Sequence, residues 1–290
     1  MGLNDRLGGM SNPDLVSLLG STDDGAYDLP DGNYNPYLQV PPQFDARQNW
    51  FQCGSIQFIR DQGQCGSCWA VSTASIMSDR LCIITNGVYQ PYVSDQYVTT
   101  CCTDCGNACQ GGTPFKALQY WQQGVPNGGP YGSTCGCQPY TIGNDPSQSS
   151  CSQNCISQYP LTMDQTMSTG GTAYKLKHVQ HAMQDLMLNG PFVTRFHVYS
   201  DFFYYKSGVY THVWGSNQGD HAVRVIGYGT ESGKPYWLVT NSWNVSWGDN
   251  GLFKILRGSN ECGIEDLMSG VYPNVQAALY KEMSQGPQCF

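Results

Sequence analysis

Charge is scarce in this chain. Only 12% of its 290 residues are Asp, Glu, Lys or Arg, and no run of like charges occurs. The formal net charge is -8 and Lys and Arg are not clustered, so the phosphate neutralisation that binds nucleic acid is missing and no nucleic-acid partner is expected. Long apolar runs are lacking too. No stretch approaches the length needed to span a bilayer, so no membrane span is expected. The opening segment, Met1 to Met10, holds no basic stretch followed by an apolar core, so no signal peptide is visible.

Glycine (34), proline (16) and cysteine (14) are plentiful by contrast. Such a composition describes a compact, loop-rich globular chain, long enough for one large domain or two halves packed together. So many cysteines are simplest in an oxidising compartment. That conflicts with the missing leader. The cysteines carry more weight, so a secretory-pathway location, lysosomal or extracellular, is expected, with the natural N-terminus upstream or already removed. Mass analysis with and without reductant tests this.

The most informative stretch is Gln62-Gly63-Gln64-Cys65-Gly66-Ser67-Cys68-Trp69. It places Cys68 where a glycine-rich turn becomes a helix. Apolar residues recur downstream at Ala70, Ala74, Met77, Leu81 and Ile84, the spacing of one buried helical face. A thiol in the first turn of a helix sits at the positive end of the peptide dipoles, which favours its thiolate. A disulfide knot capped by tryptophan is the competing reading of this stretch. It is disfavoured by what lies downstream. His221 follows about 150 residues later at the start of Ala222-Val223-Arg224-Val225, and Asn241 follows in Asn241-Ser242-Trp243. A cysteine nucleophile needs a base, a group that orients the base, and donors for an oxyanion. An asparagine oxygen can hold one imidazole nitrogen and turn the other toward sulfur, and Trp243 can shield that bond from water.

The Cys-Gly-Ser-Cys-Trp pattern resembles the signature of papain-family cysteine peptidases, and the chain is similar to the cathepsin B branch of that family. The branch-like stretches are Phe44-Asp45-Ala46-Arg47, Cys101-Cys102, Tyr199-Ser200-Asp201-Phe202, Tyr205-Lys206-Ser207-Gly208-Val209-Tyr210, Asn241-Ser242-Trp243-Asn244, Phe253-Lys254-Ile255-Leu256-Arg257-Gly258 and Cys262-Gly263-Ile264-Glu265. The resemblance runs from about Gln43 to Tyr272. It implies Cys68 as nucleophile, His221 as base, Asn241 as its orienter and the Gln62 side-chain amide as an oxyanion donor beside the Cys68 N–H. It also implies a thiol pKa depressed by a Cys–His ion pair, and activity at mildly acidic pH. Gly111, Gly112, Asp220, Trp243 and Leu267 fall at substrate-binding positions. The implied disulfides are Cys53–Cys82, Cys65–Cys109, Cys101–Cys151, Cys102–Cys105 and Cys137–Cys155. Cys262 matches a position commonly left unpaired, and a Cys135–Cys289 bridge is the remaining option, open to peptide mapping. Protein or peptide substrates and cystatin-like protein inhibitors are the implied partners, and no cofactor is.

The implied fold class is α+β, a papain-like two-subdomain fold with a helical left half, an antiparallel β-barrel-like right half, and the cleft between them. The chain's own patterning agrees. Thr113-Pro114 reads as a helix start, with Phe115, Leu118 and Trp121 inward and a stop at Gly124. A third helix carries Val179, Ala182, Met183, Leu186 and Met187 on one face and ends at Asn189-Gly190-Pro191. Strands follow at 192–199, 222–228, 236–240 and 252–257. Residues 1–40 form an N-terminal arm, either poorly ordered or the end of a prosegment with a short apolar patch at Leu15, Val16, Leu18 and Leu19. The peptidase domain spans 41–272, and a tail of unknown role occupies 273–290.

Two features depart from the branch. Cathepsin B closes its primed side with a histidine-bearing occluding loop. Here thirteen residues separate Cys137 from Cys151 and none is histidine, which points to an endopeptidase with little dipeptidyl-carboxypeptidase activity. Where the branch has a glutamate in the S2 pocket, this chain has Leu267, so hydrophobic P2 residues are expected over arginine, with Asp266 near enough to rescue a basic one. Asp220 replaces a glycine usual in the branch, and Asn244-Val245-Ser246 is a sequon beside Trp243. His178, His181, His197 and His212 are expected in surface or structural roles. Cys102-Thr103-Asp104-Cys105 lacks the second pair a zinc site needs, so no metal is expected. A catalytically silent relative acting as an extracellular binding protein is the rival reading. A disulfide oxidoreductase fails for want of a Cys-x-x-Cys opening a helix in a βαβ unit.

Overall fold

The computed structural model describes residues 6–22, 28–143, 149–274 and 289–290. Its helical part is built on Cys68–Ile84, against which Asp95–Cys101 and Pro114–Tyr120 pack. The Pro114–Tyr120 helix has proline at its first position and runs through a short turn to Gly124, whose φ of 102° lets the chain reverse. The Val179–Asn189 helix ends at Gly190, with φ 98°. The Asp95–Cys101 helix is capped by Ser94, whose side chain accepts the Tyr97 N–H.

The strand-rich part is one eight-stranded sheet. Its strands are β1 (Phe44–Asp45), β2 (Gly170–Lys175), β3 (Phe192–Tyr199), β4 (Val209–Tyr210), β5 (Asn217–Glu231), β6 (Lys234–Thr240), β7 (Leu252–Leu256) and β8 (Ser269–Pro273). They lie in the order β2-β8-β3-β5-β6-β7-β4, with β1 added beside β5. The expected barrel-like closure does not occur: β2 and β4 are opposite ends of the order and do not pair with each other. Pairing is antiparallel apart from β4 with β7, which run parallel.

The two largest clusters of buried apolar side chains are one built on the helices and one built on the sheet. Trp69, Met77, Leu81, Phe115, Leu118 and Trp121 form the helical core, completed by Ala173, Val193 and Val271 from the sheet. Phe196, Phe202, Trp243, Trp247 and Phe253 anchor the other, with Phe202 meeting Phe196 and Phe253 edge-on at 4.9 Å. Leu7, Leu15 and Leu18 of the N-terminal arm belong to this second core.

The Cys68–Ile84 helix is not amphipathic in the expected way. Every residue from Cys68 to Cys82 is buried, whereas Ile84, assigned to the inner face, is half exposed. Its polar residues are satisfied internally. Ser72, Thr73, Ser75 and Ser78 each donate to the carbonyl four residues back. Asp79 accepts from Arg224 of β5 at 2.9 Å, and Arg80 donates to Asp185 of the Val179–Asn189 helix at 2.6 Å. These buried pairs bind the Cys68–Ile84 helix to strand β5 and to the Val179–Asn189 helix. No helix among the described residues is long and apolar enough to cross a membrane.

Candidate active site

Cys68 is the first residue of its helix, with Ser67 as N-cap. The turn before it is fixed by close backbone approach: a Cβ on Gly66 would lie 2.5 Å from the Cys109 carbonyl oxygen, so only glycine fits there. The Cys65–Cys109 disulfide closes the same turn, and Tyr140 bridges it by sharing a 2.6 Å hydrogen bond with Ser67 and donating to the Gln62 carbonyl at 3.0 Å.

His221 lies on β5 opposite Phe196 of β3, fully buried. Its Nε2 lies 2.7 Å from the Asn241 Oδ1, and an amide oxygen can only accept, so the proton is on Nε2 and Nδ1 keeps its lone pair. The Trp243 ring covers the imidazole at 4.7 Å between centroids. The next residue, Ala222, donates its N–H to Cys68 Sγ at 3.4 Å, which sets the thiol beside the start of the strand. Nδ1 makes no hydrogen bond among the described residues, to Cys68 Sγ or to any other atom.

Gln62 is held at both ends. Its Oε1 accepts from Ser242 Oγ at 2.6 Å, while Nε2 donates to Cys65 O at 2.6 Å and to Leu18 O at 2.9 Å. The last contact comes from the N-terminal arm, which runs through the cleft. Gly112 N–H donates to Gly20 O at 2.8 Å, Thr22 N–H donates to Gly112 O at 2.9 Å, and Ser21 N–H donates to Asp220 O at 3.1 Å. The Gly20 N–H is directed at the Cys68 sulfur. A Cβ on Gly20 would fall 1.7 Å from Gly66 O, so the arm lies flush on the turn that carries the thiol. Gly111 has φ 113°, and a side chain on Gly112 would strike the Trp69 ring. Gly111 thus leaves room for the arm's backbone at Gly20, and Gly112 lets the chain pack closely on Trp69.

Under the arm the electrostatics differ from the expected ion pair. Burial pushes the Cys68 thiol up to about 11, against the partial stabilisation of its anion by the Ala222, Gly20 and Trp69 N–H groups. Burial pulls the His221 imidazole down to about 4, and the Asn241 bond only partly offsets it. The physical cause is loss of water: each group is stripped of solvent, so a neutral thiol and a neutral imidazole replace the thiolate–imidazolium pair.

Leu267 lines a small cavity with Thr22, Pro114, Phe115, Arg195 and Ser269. Asp266 does not reach it; it is exposed and accepts from Asn260 at 2.7 Å. The Asp220 carboxylate holds Arg195 Nη1 at 2.7 Å and His197 Nδ1 at 2.5 Å. His178 caps its helix by accepting the His181 N–H, His181 accepts the Lys177 N–H, and His212 stacks on Tyr199. Asn244, the sequon residue, uses its amide nitrogen on Asp61 Oδ2 at 3.1 Å.

The structure joins Cys53–Cys82, Cys65–Cys109, Cys101–Cys151, Cys102–Cys105, Cys137–Cys155 and Cys135–Cys289, leaving Cys68 and Cys262 as thiols. The last bridge fastens the chain's end, where Phe290 packs on Phe58 and Tyr92. Residues 144–148 of the short Cys137–Cys151 segment, and 275–288 of the tail, lie outside the described residues. Sequence reasoning missed Leu18, Gly20 and Thr22 as cleft residues, and Ser242 and Arg195 as partners of Gln62 and Asp220. Backbone contacts leave no side-chain pattern to read. Arg195 had a signal, a cation in the middle of an apolar strand.

The family model for papain family cysteine proteases matches residues 40–272, and the chain belongs to that family. Within it the chain is cathepsin B-like, a cysteine-type peptidase and so a hydrolase. It is 48% identical over 236 residues to a gut-specific cysteine proteinase of Caenorhabditis elegans, covering 78% of this chain and 71% of the relative. It is 42% identical over 252 residues to a cathepsin B-like cysteine proteinase of Schistosoma japonicum, covering 81% and 74%. Among solved structures, proCathepsin B S9 from Trypanosoma congolense superposes with a TM-score of 0.83 at 36% identity, covering 91% of this chain and 89% of that one. Recombinant stem bromelain precursor gives 0.69 at 26% identity, covering 94% and 82%.

Proposed function

We propose that this chain is the precursor of a cysteine endopeptidase, acting through a Cys68 thioester, with residues 1–40 as the end of a prosegment, 41–272 as the peptidase domain and 273–290 as a tail. The observation that carries the reading is the 2.7 Å His221–Asn241 bond, which leaves the second imidazole nitrogen bare beside Cys68. His221 takes the thiol proton, and the sulfur attacks a peptide carbonyl. The Gln62 Nε2–H and the Cys68 N–H receive the resulting oxyanion. As the C–N bond breaks, His221 returns the proton to the leaving amine. Water, deprotonated by His221, then hydrolyses the thioester.

The arm supports latency. Leu18 O occupies the Gln62 amide that an oxyanion needs, and the sulfur faces the Gly20 N–H, a group it cannot attack. The short Cys137–Cys151 segment, without histidine, favours internal cleavage over removal of C-terminal dipeptides, and Leu267 favours an apolar P2 residue over arginine. A lysosomal or secreted setting and cystatin-like inhibitors follow from the same family likeness. The test is covalent labelling of Cys68 at pH 5.5 by a papain-type thiol-alkylating inhibitor, before and after trimming the arm, with Cys68→Ala as control. Labelling only after trimming supports a latent protease. No labelling in either state would favour the silent binding protein. Stepwise release of dipeptides from a free C-terminus would overturn the endopeptidase assignment.

A further inference from the structure

The arm traces how a peptide lies against Gly112, and it marks one pocket. With Gly20 O and Thr22 N–H both bonded to Gly112, Thr22 forms one wall of a small cavity, about 10 Å³ with the arm in place, whose other walls are Pro114, Phe115, Arg195, Leu267 and Ser269. Five of these six lining residues are apolar or neutral. Arg195 is the cation, and it is only 8% exposed.

Its position is held from below. Arg195 and His197 alternate on β3 and so project on one face, while their β5 partners are Ala222 and Asp220. Each claims a separate oxygen of the Asp220 carboxylate, Arg195 on Oδ2 and His197 on Oδ1. One carboxylate thus serves two basic side chains, and it sits below the pocket wall with its backbone carbonyl turned to the arm at Ser21.

We infer that Arg195 is a specificity-determining residue, whose guanidinium selects a P2 side chain bearing a hydrogen-bond acceptor or a carboxylate over one bearing a cation. A guanidinium fixed in a poorly solvated wall bonds a carboxylate or carbonyl oxygen well, and it repels a lysine or arginine brought alongside. Leu267 alone explains only the missing countercharge for a basic P2 residue. Arg195 adds attraction for an acidic or neutral acceptor. Apolar P2 residues retain Phe115, Pro114 and Leu267 as partners, so the order becomes apolar first, acceptor-bearing next, basic last.

This inference rests on the peptidase reading, and the experiment separates the two. Trimmed enzyme is assayed on fluorogenic dipeptide substrates with arginine fixed at P1 and leucine, threonine, glutamate or arginine at P2. We expect kcat/KM for glutamate to exceed that for arginine by about tenfold. Arg195→Met should erase that ratio, and Arg195→Lys, which keeps the charge, should retain part of it. The ratio is insensitive to a general loss of folded enzyme. A wild-type ratio below one, a ratio unchanged in Arg195→Met, or equal collapse in both variants would each overturn the role given to the Arg195 charge. Failure of trimmed enzyme to turn over any substrate, leucine included, would instead sink the peptidase reading.

Discussion

The Gln62 side-chain amide and the Leu18 carbonyl oxygen are joined across 2.9 Å, although 44 positions separate them in the chain. The same Nε2 also donates to Cys65 O, and the Oε1 is fixed by Ser242. The amide is therefore held in place before any substrate arrives, and in the proposed mechanism the arm occupies the place of the oxyanion. Replacing Gln62 by Ala should cut kcat of the trimmed enzyme by about 10²- to 10³-fold with a smaller change in KM, the loss typical of one oxyanion donor. Steady-state kinetics on a leucine-P2 substrate measure it, and an unchanged kcat would remove Gln62 from the chemistry.

Gly20 offers the complementary test from the arm's side. With a Cβ there placed 1.7 Å from Gly66 O, Gly20→Val cannot lie in the cleft as the native arm does. The untrimmed variant should alkylate at Cys68 at a rate close to that of trimmed wild type. If it stays as unreactive as the untrimmed parent, the arm's hold does not depend on this close approach.

Acid should loosen the arm. The covered His221 takes up its proton only near pH 4, whereas a hydrated imidazole does so near its ordinary 6.5. Above pH 6.5 the covered state keeps its full advantage. As pH falls from 6.5 to 4 the uncovered state gains protons first, and the covered state loses up to about 3 kcal/mol relative to it. Cys68→Ala removes the thiol, whose ionisation on uncovering would release a proton and cancel the one that His221 gains. The rate at which an added acid-tolerant protease trims the arm of Cys68→Ala, taken relative to its rate on a disordered peptide, should therefore quicken as pH is lowered through this window. A rate flat between pH 7.5 and 4.5 would rule the mechanism out.

The Arg80–Asp185 pair should matter for stability rather than for chemistry. Both side chains are buried, and Tyr174 closes the cluster by accepting from Arg80 and donating to Asp185. Asp185→Ala leaves a buried guanidinium without its carboxylate and should cost about 3–5 kcal/mol. For a chain of this size that lowers Tm by roughly 6–20 °C, readable by calorimetry. A shift under about 2 °C would mean that the cluster relaxes around the loss.

Much of this site was legible beforehand. The glycine-rich turn, the helix start at Cys68, the strand position of His221 and the place of Asn241 just past β6 follow from local residue patterns, and helix ends at Thr113-Pro114 and Asn189-Gly190-Pro191 are written in the backbone preferences of proline and glycine. The all-round burial of the Cys68–Ile84 helix was not legible. Serine, threonine, aspartate and arginine normally mark a wet face, and only the assembled fold supplies Arg224 and Asp185 as partners. Strands β2 and β8 are short and contain glycine, so they carry little alternation. Whether the sheet closes depends on which strand ends meet, a long-range matter that no local pattern records.

The burial of that helix has a consequence for exchange with solvent. Its residues from Ala74 to Cys82 are all buried, and the helix is pinned by charge pairs to β5 and to the Val179–Asn189 helix. Their amide hydrogens should exchange only when the whole molecule opens, whereas the arm's amides at Ser21 and Thr22 exchange when the arm alone lifts. Uncovering the thiol and unfolding its helix are thus separate events on separate clocks. Cys68 thus rides on a buried segment that another protease reaches only once the molecule has unfolded.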